Sequence, residues 1–136
     1  MVNLVELAGP GAVRGPGEEI VWALEDTASA IERLVSQQIA VLGGELWFRD
    51  QCGSWANALL DSRGRTVVYA WSAEAHGGRA SANWEELVQR FAGIARETLL
   101  RWQSDPEAVG QQQRKPFCSL TLLSESEWRE GDASIV

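Results

Sequence analysis

The stretch NWEELVQRFAGIARETLLRWQ, residues 83–103, decides the fold. Trp84, Leu87, Val88, Phe91, Ile94, Ala95, Thr98, Leu99 and Trp102 recur at spacings of three and four and draw one apolar stripe. That period predicts an amphipathic helix over about 83–103. Asn83 suits the N-cap, and Glu86 three residues later completes a capping-box pattern. Asp105–Pro106 stops the helix. A single striped helix cannot bury its apolar side alone, so it predicts a second layer to pack on.

The residues on either side supply that layer. Upstream lie three short extended runs, Glu45–Asp50, Ser54–Leu60 and Thr66–Trp71, joined by Gln51–Cys52–Gly53 and Asp61–Gly64–Arg65 turns. Such short, Gly-bearing loops predict antiparallel hairpins. Residues 74–82 form a polar connector. Downstream, 110–116 reads as an exposed loop. Phe117–Leu123 alternates like a fourth strand, and Ser124–Trp128 begins a terminal helical turn. The tail at 131–136 is expected to fray. Further upstream, Ile20, Leu24, Ala28, Ile31, Leu34, Val35 and Gln38 predict a first helix over about 18–40, with Gly43–Gly44 ending it or beginning the next turn. Val2–Leu7 reads as a short strand, followed by Gly- and Pro-rich loops. The fold class is α+β: one domain over 1–136, with an antiparallel meander of three to four strands packed against two helices.

Composition narrows the function. The net charge is −7, with six acids and two bases in residues 1–44, seven of each in 45–103, and six acids and three bases in 104–136. An acidic surface opposes a phosphate backbone and disfavours nucleic acid. It suits a basic protein partner, steered by charge. No apolar run is long enough to span a bilayer, and the amino end lacks a signal-peptide pattern, so a cytoplasmic location is expected. Cys52 and Cys118 form no CxxC motif and read as reduced thiols.

Groups for catalysis are scarce. The single histidine, His76, stands in the connector. A Cys52 or Cys118 thiol paired with His76, oriented by Asp50 or Asp61, is the one enzymatic arrangement available, and nothing in the spacing requires it. One His and two separated Cys make no zinc set, so no metal or cofactor is expected. The carboxylate pairs Glu18–Glu19, Glu25–Asp26 and Glu85–Glu86 read as solvated helix features rather than acid–base pairs.

Large indoles are abundant: the chain has seven tryptophans. Trp84 and Trp102 fall on the stripe of the second helix and belong to the core. Trp55 and Trp71 belong to strands. Trp128, in the charged segment Ser124–Glu130, reads as an exposed anchor, with Trp47 and Trp22 as further contact candidates. Glu125 and Glu127 would flank Trp128 in a partner-binding surface. These residues favour a protein that acts by binding.

The residues Val41–Leu42–Gly43–Gly44–Glu45–Leu46–Trp47–Phe48, the strand pair around Asp61–Gly64, and Val67–Trp71 leading to the helix from Asn83 resemble the SUKH superfamily, the SMI1/KNR4-type domains. The likeness covers about residues 25–100. It implies an immunity protein that neutralises a bacterial toxin by binding it. The size, acidity and helix–meander–helix order also resemble type III secretion chaperones. That likeness implies a homodimer holding an unfolded effector segment. A small enzyme using Cys52 and His76 is the third expectation.

Overall fold

The chain passes from strand to helix at Ala23–Leu24, six residues later than the sequence period suggests. In the computed structural model, which describes residue 9 and residues 11–73, 83–110 and 113–135, the segment Ile20–Ala23 is a strand (β2) and only Leu24–Ser36 is helical (α1). Ile20, Val21 and Trp22 are β-branched or aromatic and fit a pleat. Val21, Trp22 and Ala23 pair with Ser119, Cys118 and Phe117 across the sheet. That tertiary pairing overrides the helical spacing. The expected first strand (Val2–Leu7) and the connector at 74–82, including His76, lie outside the described residues.

The helix α1 also ends earlier than expected, and without glycine. Gln38 takes a left-handed conformation (φ 61°), its N–H donates to Val35 O, and Ile39 N donates to Leu34 O at 3.0 Å. This is a Schellman stop, with Ile39 beside Leu34 as its apolar contact. The indole Nε1 of Trp84 donates to Gln38 O at 2.9 Å, which ties the next long helix to this stop.

Gly43–Gly44 therefore ends no helix. It lies inside the longest strand, Ala40–Asp50 (β3). The pair is needed for close approach. A Cβ on Gly43 would strike the carbonyl oxygen of Trp71, and one on Gly44 would strike the carbonyl of Ser119 and come within 2.6 Å of the Trp71 ring. Trp71 crosses the sheet at Gly44 and meets Trp102 edge-on, with ring centroids 5.4 Å apart.

The remaining elements are Ala12–Arg14 (β1), Trp55–Ala56 (β4), Ala58–Leu60 (β5), Thr66–Val68 (β6), Ala70–Ser72 (β7), Trp84–Gln103 (α2), Pro106–Val109 (α3), Arg114–Leu123 (β8) and Glu125–Ile135 (α4). The helix predicted over 83–103 is present, and the Asn83 side chain accepts from Glu86 N as its N-cap. The strand predicted at 117–123 begins at Arg114 and so takes in part of the expected loop. The helix α4 runs on past Gly131 to Ile135.

The α+β antiparallel class holds, with a larger sheet than a meander. Among the described residues six strands join in the order β1-β2-β8-β3-β4, with β7 also on β3, and β5-β6 form a separate hairpin. The last strand, β8, lies between β2 and β3. Both pair antiparallel to it, so β2 and β3 run parallel to each other around α1, a split β-α-β arrangement. Residue alternation marks a strand's faces but not its neighbours, so the sequence does not reveal this insertion.

Helices α1 and α2 pack side by side on one sheet face. There Trp22, Leu46, Cys118 and Leu120 meet Ile31, Leu34, Leu87, Phe91 and Leu99 in the main core. Arg96 bridges to Glu32 through two bonds of 2.6 and 2.8 Å, joining the helices at their outer edge. The bond to Arg96 holds the Glu32 carboxyl below its ordinary range.

Two sets of outcomes are expected. Gly44→Ala should destabilise by about 1–3 kcal/mol, because backbone and indole must shift. Gly93→Ala, on the exposed side of α2 with nothing within 4 Å, should stabilise by about 0.5–1 kcal/mol. Urea unfolding of both variants checks the two signs. For Glu32→Gln, a loss of about 0.5 kcal/mol is expected at neutral pH, since both partners are partly exposed. Glu32's folded-state value is depressed, so its contribution exists above the ordinary Glu range and vanishes as pH falls through the folded value. The variant and the parent should therefore converge in acid. A gap that widened there would contradict the assignment.

Candidate functional site

The sheet has a second face that carries no helix among the described residues. Alternation along β3 and β8 turns Glu45, Trp47, Arg49, Lys115, Phe117 and Ser119 to this side, opposite Leu46, Phe48, Cys118 and Leu120. The cross-strand register arranges it in rows. Lys115, Arg49 and Trp55 form one row, Ala23, Phe117 and Trp47 the next, and Val21, Ser119, Glu45 and Ala70 the third.

The middle of this face is a small apolar cluster of its own. Val21, Ala23 and Phe117 are buried, with Val13, Trp47 and Trp55 laid over them and themselves partly exposed. Trp55 meets Phe117 edge-on at 5.1 Å. Two cations rest on these rings: the Arg49 guanidinium lies 5.5 Å from the Trp55 centroid and the Lys115 ammonium 5.5 Å from that of Phe117. Such contacts hold the charges over aromatic surface while leaving them accessible. In the third row the charge is negative. Burial, and then the neighbouring Glu45 charge, push the Glu19 carboxyl above its ordinary value.

The β5–β6 hairpin forms a separate two-stranded sheet. Tyr69 and Leu59 turn inward, and Tyr69 donates to Asp105 Oδ2 at 3.0 Å. Burial and the Asp105 bond raise the Tyr69 phenol to about 12. Leu60 and Val68 consequently turn outward, 69% and 51% exposed. They are a second exposed apolar spot. On the helix-free face itself the part-exposed apolar groups are Val13, Trp47 and Trp55, gathered over one buried cluster, which is the pattern of a contact surface.

The partner-binding residues expected from the sequence are not brought together. Trp47 is on the helix-free face. Trp22 is not available to a partner in this structure: it is 1% exposed, on the opposite face, because its strand pairing sends it under the helices. Trp128 is half-buried rather than an exposed anchor. It stacks on Trp84, with centroids 5.3 Å apart, and α4 thereby closes the end of the main core. Glu125 pairs with Arg129 one turn on. Glu127 closes a capping box, accepting from Ser124 N at 3.0 Å while its own N–H donates to Ser124 Oγ at 3.2 Å. These bonds hold the Glu127 carboxyl below its ordinary range. The Ser124-x-x-Glu127 spacing carries that signal in the sequence.

The expected enzymatic arrangement needs His76, which lies outside the described residues. Cys52 is exposed in the β3–β4 turn and Cys118 is fully buried, and both are free thiols. Burial drives the Cys118 thiol well above its ordinary value, which makes it a poor nucleophile. Asp50 Oδ1 accepts from Cys52 N and Ser54 N, and Asp61 Oδ1 from Arg63 N and Arg65 N, all at 2.9 Å, so both carboxylates serve their own turns. Among the described residues no group of three His, Cys, Asp or Glu could hold a metal ion. No described helix is long and apolar enough to cross a membrane.

Sequence reasoning missed Trp55, Phe117, Arg49 and Lys115 as a group. A ring beside a cation across the four-residue β3–β4 turn (Arg49, Trp55) and two residues apart on one strand (Lys115, Phe117) was the available signal. Comparison with family models, with curated proteins and with solved structures finds no match to this chain.

Trp128→Ala should lower stability by about 2 kcal/mol, since a half-buried indole is lost from a ring stack. Glu127→Ala should cost about 1 kcal/mol through the cap. That cost is present above the ordinary Glu range and fades as pH falls through the depressed folded value. Thermal unfolding between neutral and acid pH reads both. An unchanged melting temperature for Trp128→Ala would return that residue to the role of a surface anchor.

Proposed function

We propose that this chain is a protein-binding module of the immunity type, which neutralises a toxin by covering its active surface. The helix-free sheet face is the docking surface. One observation carries the reading: Trp47 and Trp55 share a side that no described helix covers, and they lie part-exposed over the buried cluster of Val21, Ala23 and Phe117. Occlusion needs such an area and no reacting group. Burying these side chains under a partner would slow release, and the rings would serve as the anchors.

Charge leans only slightly between the layers: Leu24–Ser36 and Trp84–Gln103 hold six acids and four arginines, while β3 to β7 with their turns and β8 hold three acids (Glu45, Asp50, Asp61) and five bases (Arg49, Arg63, Arg65, Arg114, Lys115). The net charge of −7 favours encounter with a partner that is basic as a whole. The cations on the docking side then set the local register of the contact.

The test pairs capture with protection. Affinity capture from the native host should bring down a protein that is toxic when expressed alone and harmless when this chain is co-expressed. A Trp47→Ala/Trp55→Ala variant that keeps its far-ultraviolet spectrum should lose capture by about a hundredfold, the scale of two interface anchors, and should lose protection with it. Equal capture by this variant would remove the sheet face from the proposal. A captured protein without toxicity would remove the immunity reading.

A further inference from the structure

A groove opens at the end of the β3–β8 ladder, where the helix-free face and the helices meet. It encloses about 960 Å³ where the first turn of α1, the end of α2 and the β3–β8 ladder meet. Three cations line it: Arg49, Arg114 and Lys115. The amides of Gln51, Gln103 and Gln113 stand among them, and Val109 offers an exposed apolar side chain.

The carboxylates at this corner are already engaged. Glu25 faces the Lys115 ammonium at 3.6 Å. Asp50 Oδ1 is held by two backbone N–H groups of its own turn. Arg114 has no ion pair among the described residues, and the guanidinium of Arg49 rests on the Trp55 ring. Against three cations the lining carries two carboxylates, Glu25 and Asp50, an excess of one positive charge in a chain of net charge −7.

We propose that the groove takes a carboxylate-bearing segment of the protein partner, a short peptide stretch containing Asp or Glu whose apolar neighbour rests on Val109. The inference rests on the reading of the chain as a protein-binding module and names the partner's chemistry at one corner. Guanidinium groups match carboxylates through paired, charge-assisted bonds. Glutamine side chains both donate and accept, so they can satisfy a peptide backbone laid between the cations. A nucleic acid fits less well. It repeats its charge at every nucleotide, and any strand longer than the groove would run past Glu25 and Asp26 on α1. A peptide can confine its charge to the groove.

The test uses the full chain and a defined probe. A blocked pentapeptide, Gly-Glu-Val-Asp-Gly, is titrated against the isotope-labelled protein, with its Gly-Gln-Val-Asn-Gly counterpart as control. The Arg49 Nε–H, the Trp55 indole N–H and the Gln103 and Gln113 amide signals should shift with the acidic peptide and not with the neutral one. Arg114→Gln combined with Lys115→Gln should weaken binding about tenfold, and raised salt should weaken it similarly. The proposal is overturned by absent shifts, by equal binding of the neutral peptide, or by a short oligothymidylate that moves the same signals at lower concentration. Normal capture of the native partner by the Arg114/Lys115 variant would also overturn it while leaving the docking face intact.

Discussion

The ladder between β3 and β8 is the constraint on which the rest of the structure depends. Ala40–Asp50 faces Leu123–Arg114 over the full length of both strands, with one register shift between Val41 and Gly43. This pairing sorts the side chains. Leu46, Phe48, Cys118 and Leu120 go to the helices, while Trp47, Arg49, Lys115 and Phe117 go to the open side. A slip by one residue would exchange the two sets, putting Arg49 and Lys115 under α1 and α2 and exposing Leu46 and Leu120. The cost of a buried unpaired cation excludes that alternative. Register is therefore enforced by both faces at once. The shift after Val41 has a related role, because it turns Val41 and Leu122 inward on one side of Gly43–Gly44 while keeping Leu46 inward on the other.

How far the sequence shows this depends on whether a segment's partner is local. The helix at 83–103 carries its own period, cap and stop, so its ends are legible within a residue. Strand Phe117–Leu123 is legible as a strand because it alternates, but its place at the centre of the sheet is not. That place depends on Ile20–Ala23, more than ninety residues earlier. The same distance hides β2 itself. Ile20 and Leu24 are spaced like helical neighbours, and only the contact of Trp22 with Cys118 shows that the first belongs to a strand. Gly43–Gly44 misleads for a related reason. A glycine pair after an apolar helix resembles a stop, whereas the actual need is room for Trp71 and the Ser119 carbonyl.

The tryptophans show which part of a site composition can reveal. Their number signals large contact area, and most of it is spent internally. Trp22, Trp84 and Trp102 are core, Trp71 fills the step at Gly44, and Trp128 closes the end of the main core against Trp84. Indole N–H groups of Trp47, Trp71 and Trp128 are turned inward without an acceptor among the described residues. Each such group costs about 1–3 kcal/mol, so these rings are held by shape and area rather than by their polar edge. Only Trp47 and Trp55 remain partly open to solvent on the helix-free side. Charged neighbours were a poor guide, because Glu125 and Glu127 near Trp128 are engaged within their own helix.

The charged row at the edge of the open face carries the argument from fold to function. Arg49 and Lys115 stand directly opposite each other across the ladder. Like charges in that position weaken a sheet. The structure relieves the repulsion by drawing the two apart, Arg49 onto Trp55 and Lys115 toward Phe117 and Glu25. Purely structural needs would be met by a threonine or valine at either site, with better pairing and no repulsion. The rings beneath the cations thus have two effects: they fill the apolar cluster over Val21 and Ala23, and they hold the Arg49 charge and the Glu25-paired Lys115 at the mouth of the groove. On the proposed reading, that combination of part-exposed rings and held cations is what a partner's apolar and acidic side chains would meet together.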